Sequence, residues 1–338
     1  MRPRDFIVVC AIVLIAGFAA ADAIRGRVET AETAEPPTTP VDTSPTRPPG
    51  PEPQAEAPPG WPVGTLKGSL VFTNADDCRV RVLGLTGGTE RPLPRFSGTC
   101  DLWAPPVGDR IAYGLAPSSA DGFTPFKIAD ISRPQVDLGG YRALFGVVLW
   151  SPDGQRIAWC GRRRTGFDLE IGGGARRLLG CPAAYTADSR IAYAVGNRLL
   201  VEDKEVLRTD GGITYVHFGS DGSVAVVIDG ERLERYDVAG KLTASASIPQ
   251  GRTPILSPRN CAALFRPLEP PGKIRLVELG CYHGRELRNM FGIDATWAPD
   301  GSWVAVSGVN GIEFRPVASF SPAIAWPARA VHLVWRVR

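Results

Sequence analysis

The 338 residues suffice for one large domain or two smaller ones, and a hydrophobic content of 44% is that of a globular chain rather than a disordered one. A formal net charge of +3 excludes a strong electrostatic case for nucleic acid or a polyanion as partner. The histidines (His217, His283, His332) stand so far apart that no two have metal-ligand spacing, and abundant glycine and proline suit many short strands joined by turns.

The chain opens on the short, mostly basic Met1-Arg2-Pro3-Arg4-Asp5, and Phe6 to Ala21 is then apolar without interruption. A helix needs about 20 residues to cross a bilayer, with about 17 as a lower limit. The run reaches that limit by including Ala23 and Ile24. Residues 1–24 are therefore read as an uncleaved signal anchor, one transmembrane helix, with a cleaved signal peptide as the alternative because Ala21-Asp22-Ala23 is an A-x-A-like site. The apolar run exceeds the roughly 7–15 residues of a signal-peptide core, which favours the anchor. Arg2 and Arg4 favour an inside amino terminus. The expected location is the cell membrane, single-pass, with the C-terminal domain outside the cytoplasm; after cleavage the protein would be secreted.

Residues 25–62 change character. The stretch from Glu35-Pro36-Pro37 to Ala57-Pro58-Pro59-Gly60 is rich in Pro, Thr, Glu and Ala, has no apolar period and cannot bury a core. It is expected to be a disordered linker. Proline pushes it towards polyproline II at about 3.1 Å per residue, so it reads either as a stalk or as a tether with no length requirement.

Residues 63–338 read as strand after strand. Trp150-Ser151-Pro152-Asp153-Gly154 followed by Arg156-Ile157-Ala158-Trp159 is strand, tight turn, strand: Pro152 presets φ, Asp153 can bond the local backbone and Gly154 closes a type I turn. The phrase returns at Trp297-Ala298-Pro299-Asp300-Gly301 with Trp303-Val304-Ala305-Val306. Degenerate copies begin at Trp103, Tyr185, Phe218 and Leu256. Recurrence at roughly 40 residues is the signature of a propeller blade. The first blade has only three strands of its own (Ser69–Thr73, Arg79–Leu83, Glu90–Pro94), whereas Ala330–Val337 is a surplus strand at the other end. Pairing the two closes the ring and leaves no open edge. The fold class is thus all-β, a β-propeller of seven blades, or six if one strand is misread. Small residues in each second strand (Ala112, Ala158, Ala192, Ala225, Ala263, Ala305) fit blades that converge on an axis. The motif tryptophans and tyrosines are read as blade-to-blade packing.

The two fullest copies, at 150–159 and 297–306, resemble TolB-type, WD40-like propeller repeats. The resemblance implies the fold across most of residues 65–330; TolB-type propellers have six blades.

Cys10 lies in the apolar segment. The other six fall into local pairs, Cys78 with Cys100, Cys160 with Cys181 and Cys261 with Cys281, at near-equal spacings. In a four-stranded meander a-b-c-d the b–c and d–a connections share one rim, which brings the first two pairs together there and the third to the opposite rim. Disulfides suit an exported chain; the alternative is buried reduced thiols. No C-x-x-C, G-x-S-x-G, H-E-x-x-H or P-loop motif occurs, so no catalytic, cofactor or metal residues are expected and the chain is read as a non-enzyme. The expected recognition surface is the rim of the b–c loops, Leu115–Thr124, Gly161–Thr165 and Pro267–Gly272. There Arg162, Arg163 and Arg164, joined by Arg176 and Arg177, could fork onto carboxylate, phosphate or acidic glycan groups, or form a plain solvated loop. The functional expectation is a membrane-tethered, monomeric propeller that binds or scaffolds an envelope protein or cell-wall polymer. A metal-dependent propeller enzyme of lactonase or glycan-lyase type is the alternative, and a spacer without a ligand is the plainest.

Overall fold

The computed structural model describes residues 57–337 except 63, 94–99, 116–117, 121, 133–136, 145–146, 162–164, 179, 250–251, 281–289 and 320–323. The predicted anchor, and the linker up to residue 56, lie outside the described residues. Among those described, no helix is long and apolar enough to cross a membrane.

The strands form seven four-stranded antiparallel sheets, so the six-bladed alternative is replaced by seven. In six blades the strands follow chain order from the innermost outwards. Their innermost strands are Leu102–Trp103, Val148–Trp150, Ala184–Tyr185, Ile213–Phe218, Ile255–Leu256 and Asp294–Trp297. The first blade is different. Ser69–Asn74, Val80–Gly84 and Thr89–Pro92 supply three strands, and the fourth is Ala330–Arg336 from the far end of the chain. It pairs antiparallel from Ser69 with Arg336 to Asn74 with Ala330, with a register shift between Val71 and Thr73. The surplus strand closes the ring as the sequence predicts.

The seam is packed with aromatic rings. Trp335 meets Phe314 edge-on at 5.6 Å, and Trp61 meets Trp326 at 5.3 Å and Phe314 at 5.7 Å. Trp61 also donates its indole N–H to the Leu85 carbonyl at 3.0 Å. Ala57 packs against the same cluster. The end of the segment read as linker thus lies against the closing blades, because a tryptophan after the prolines can bury its ring there.

The repeated turn explains the repeated sequence. Gly154 N–H donates to the Ser151 carbonyl at 2.9 Å, and Asp153 Oδ1 accepts from Gln155 N–H at 3.0 Å. Asp221 and Asp300 cap their turns in the same way, through Ser223 N–H at 3.1 Å and Ser302 N–H at 2.9 Å. The fourth turn residue is left-handed in five of the six copies: Gly154 (φ 66°), Ser189 (62°), Gly222 (80°), Asn260 (54°) and Gly301 (73°). Asparagine tolerates that region better than other side chains, which accounts for Asn260 where glycine is missing. The six alanines of the second strands are all fully buried, as the convergence of blades requires.

Cys78 bonds Cys100 and Cys160 bonds Cys181, each joining a b–c connection to the following d–a connection, with Cα atoms 4.6 and 4.8 Å apart. Cys261 is disulfide-bonded; Cys281, its predicted partner, lies outside the described residues.

Candidate functional site

The innermost strands surround the axis. At the rim carrying the a–b turns they open into a cavity of about 550 Å³, within the range of about 300–1,000 Å³ typical of ligand sites. Six blades contribute to its wall through Trp150, Tyr185, Tyr215, Phe218, Leu256, Trp297 and Trp335, and the turn prolines Pro106, Pro152, Pro258 and Pro299 line it. No charged side chain is among the described residues that line it.

The sequence motif builds this wall directly. Four innermost strands end on a motif aromatic just before the turn, Trp150, Tyr185, Phe218 and Trp297, and all four line the mouth. Trp150 donates its indole N–H to the Trp103 carbonyl at 3.2 Å, and Trp297 donates to the Ile255 carbonyl at 2.9 Å. In both cases the acceptor is the innermost strand of the preceding blade. These tryptophans therefore staple blades together, as the sequence predicts. They also present ring surface to the cavity, which the sequence reading assigned to packing alone.

Ile213–Phe218 supplies the polar groups. Tyr215 and His217, two residues apart on one strand, face the same side and both line the cavity. Burial pushes the Tyr215 phenol up to about 12, so it remains a donor. The His217 Nδ1 lies 2.6 Å from Asn260 Oδ1. Asn260 Nδ2 is a donor to Ser223 Oγ at 3.0 Å and to the Ser223 carbonyl at 3.2 Å. Asn260 Oδ1 is thus the acceptor, and His217 carries its proton on Nδ1. Burial lowers the imidazole pKa, against the hydrogen bond to Asn260 that raises it. The ring is neutral at pH 7, and its Nε2, with no hydrogen-bond partner among the described residues, is an acceptor. The site therefore offers aromatic faces, one phenol donor and one imidazole acceptor.

The predicted basic rim is placed in part. Arg176 donates its Nε to Asp168 Oδ2 at 2.7 Å, and Asp168 also receives Arg156 and, at 2.6 Å, the Tyr185 hydroxyl. Arg177 reaches Thr165 Oγ1 at 3.4 Å beside the b–c loop. Arg162, Arg163 and Arg164 lie outside the described residues. Among the described residues, no three His, Cys, Asp or Glu side chains group as a cation site.

No family model matches the chain, and no curated protein matches it. Solved structures do. A Bacteroides uniformis protein named a "putative 6-phosphogluconolactonase" is similar over 79% of this chain and 99% of its own, at 12% identity and TM-score 0.52. The β-propeller domain of Cps50 (Swd1) from Myceliophteria thermophila matches over 75% of this chain and 98% of its own, at 14% identity and TM-score 0.49. The C-terminal WD40 domain of Sif2 covers 75% of this chain and 77% of its own, at 12% identity and TM-score 0.45. At 12% identity the first of these likenesses is one of fold alone.

Proposed function

We propose that the protein is a non-enzymatic binding module, held at the outer face of the cell membrane by residues 1–24, whose site is the axial cavity at the a–b rim. The occupant is an uncharged aromatic or aliphatic group presented by a loop of an envelope protein. The observation that carries this reading is the cavity itself: about 550 Å³, aromatic, and free of charged lining. A charged ligand would lose its hydration there without a countercharge to offset the loss. Two disulfides point to an oxidising, extracytoplasmic compartment.

A second reading, a saccharide unit of a cell-wall polymer, is favoured by Tyr215 and His217, a donor and an acceptor beside ring faces that suit sugar C–H groups. A metal-dependent lactonase or lyase would need several carboxylates or imidazoles converging on the axis. Of the described histidines only His217 lines this cavity, and no carboxylate is among its described lining residues, so those residues do not fit that reading.

The test is a plug. Ser220 is exposed at the cavity wall. Ser220→Trp should leave the melting temperature unchanged and reduce capture of the native partner at least tenfold. Unchanged capture would place the site elsewhere, and the b–c rim arginines would be the next variants.

A further inference from the structure

A second cavity lies away from the axis, where the first and second blades meet. It measures about 260 Å³, and its wall includes Ser69, Thr89, Glu90, Arg91, Asp109 and Arg336. Arg336 ends the strand that closes the ring, so its position is fixed by the pairing with Ser69. It is 3% exposed, yet its Nε has no hydrogen-bond partner and its guanidinium forms no ion pair among the described residues. A buried cation without a partner is costly, and natural proteins rarely keep one without a use for it. Burial pulls its pKa below the usual arginine value, and the charge of Asp109 acts in the other direction.

The two carboxylates in the wall do not supply the missing partner. Glu90 has both oxygens engaged: Oε1 takes Arg81 at 2.8 Å and Oε2 takes the Trp326 indole N–H. Asp109 is exposed and forms no ion pair with Arg336. Arg91, also exposed, adds a second cation to the wall, and the Ser69 and Thr89 hydroxyls add donors. The volume leaves room for a small anion with several waters at about 30 Å³ each.

We propose that this seam pocket binds a small oxyanion, a carboxylate or a phosphate group, with the Arg336 guanidinium as its forked principal contact. Guanidinium matches both groups through paired N–H donors. Because one side of the pocket is the ring-closing strand, occupancy stabilises the closed propeller by mass action.

The experiment melts the purified full chain in inorganic phosphate and in sodium acetate, each against sodium chloride of equal ionic strength, with titration calorimetry alongside. The expected result is a concentration-dependent rise in melting temperature beyond that in chloride. The larger response identifies whether the pocket suits phosphate or carboxylate. Arg336→Met should abolish the response, and Thr89→Val should weaken binding several-fold in a protein that folds normally, which keeps the test valid if the first variant does not fold. Asp109→Asn should tighten binding by removing repulsion. The proposal is overturned if neither anion acts beyond chloride or if Arg336→Met keeps the response. It is also overturned if Asp109→Asn destabilises the chain in chloride, which would make Asp109 the true counter-ion.

Discussion

Asp168 is the group whose loss should cost the third and fourth blades most. Its carboxylate is 1% exposed and collects Arg156, Arg176 and the Tyr185 hydroxyl. Asp168→Ala strands the buried Tyr185 hydroxyl and leaves Arg156 facing an uncompensated gap. Removing one member of a buried ion pair costs about 3–5 kcal/mol. The Arg156 side chain is 24% exposed and that of Arg176 is 55% exposed, so both can recover water and the lower end, about 3 kcal/mol, applies. Asp168→Asn keeps an acceptor for Tyr185 and loses the charge, for about 1.5–3 kcal/mol. Arg176→Ala removes only the screened, half-exposed pair, for about 1 kcal/mol or less. Urea unfolding midpoints of the three variants should therefore fall in that order. If Arg176→Ala cost as much as Asp168→Ala, or if Asp168→Ala cost under about 1 kcal/mol, the network would not carry the weight its burial implies.

Removing a disulfide by the double substitution Cys78→Ser with Cys100→Ser, which opens a loop of sequence separation 22, should cost about 3 kcal/mol on the chain-entropy account; an unchanged denaturation midpoint would show that the closed ring already restrains those ends. Burial holds the pKa of both His217 and His332 below the ordinary histidine value. Between the folded pKa and about 6.5 the unfolded chain binds more protons, so stability should rise with pH through that window and flatten above it. His217→Gln should remove about one proton's worth of that slope. A urea midpoint independent of pH from 5.5 to 7 would contradict the buried, neutral imidazoles.

Much of the architecture was legible because the turn has strict requirements. Asp153, Asp221 and Asp300 sit where a side chain must cap the turn, and a residue able to adopt positive φ must follow, so the blades announce themselves at fixed intervals. The surplus strand at 330–337 was legible by counting, since an odd strand at each end of a ring has one place to go. The cavity was not. Trp150 and Trp297 carry one sequence signature for two roles, and only the convergence of seven short strands shows that their faces also bound an open space. Nor could spacing show that His217 takes its proton from the demands of Asn260, 43 residues on. Arg336 was hidden for a similar reason: an arginine third from the end looks solvated until its strand is paired into the first blade. The packing of Trp61 on the closing blades was not legible either, because proline content around it masks a single buried ring.

The claim that the a–b mouth is the recognition surface is tested most directly by placing a photocrosslinking residue in living cells at either of two positions. One is position 220, an exposed serine at the cavity wall; the other is position 268, a 79% exposed leucine between the second and third strands of the sixth blade, on the opposite rim. The account predicts one discrete adduct from position 220 and none from position 268. An adduct from 268 alone would contradict it and move recognition to the b–c loops.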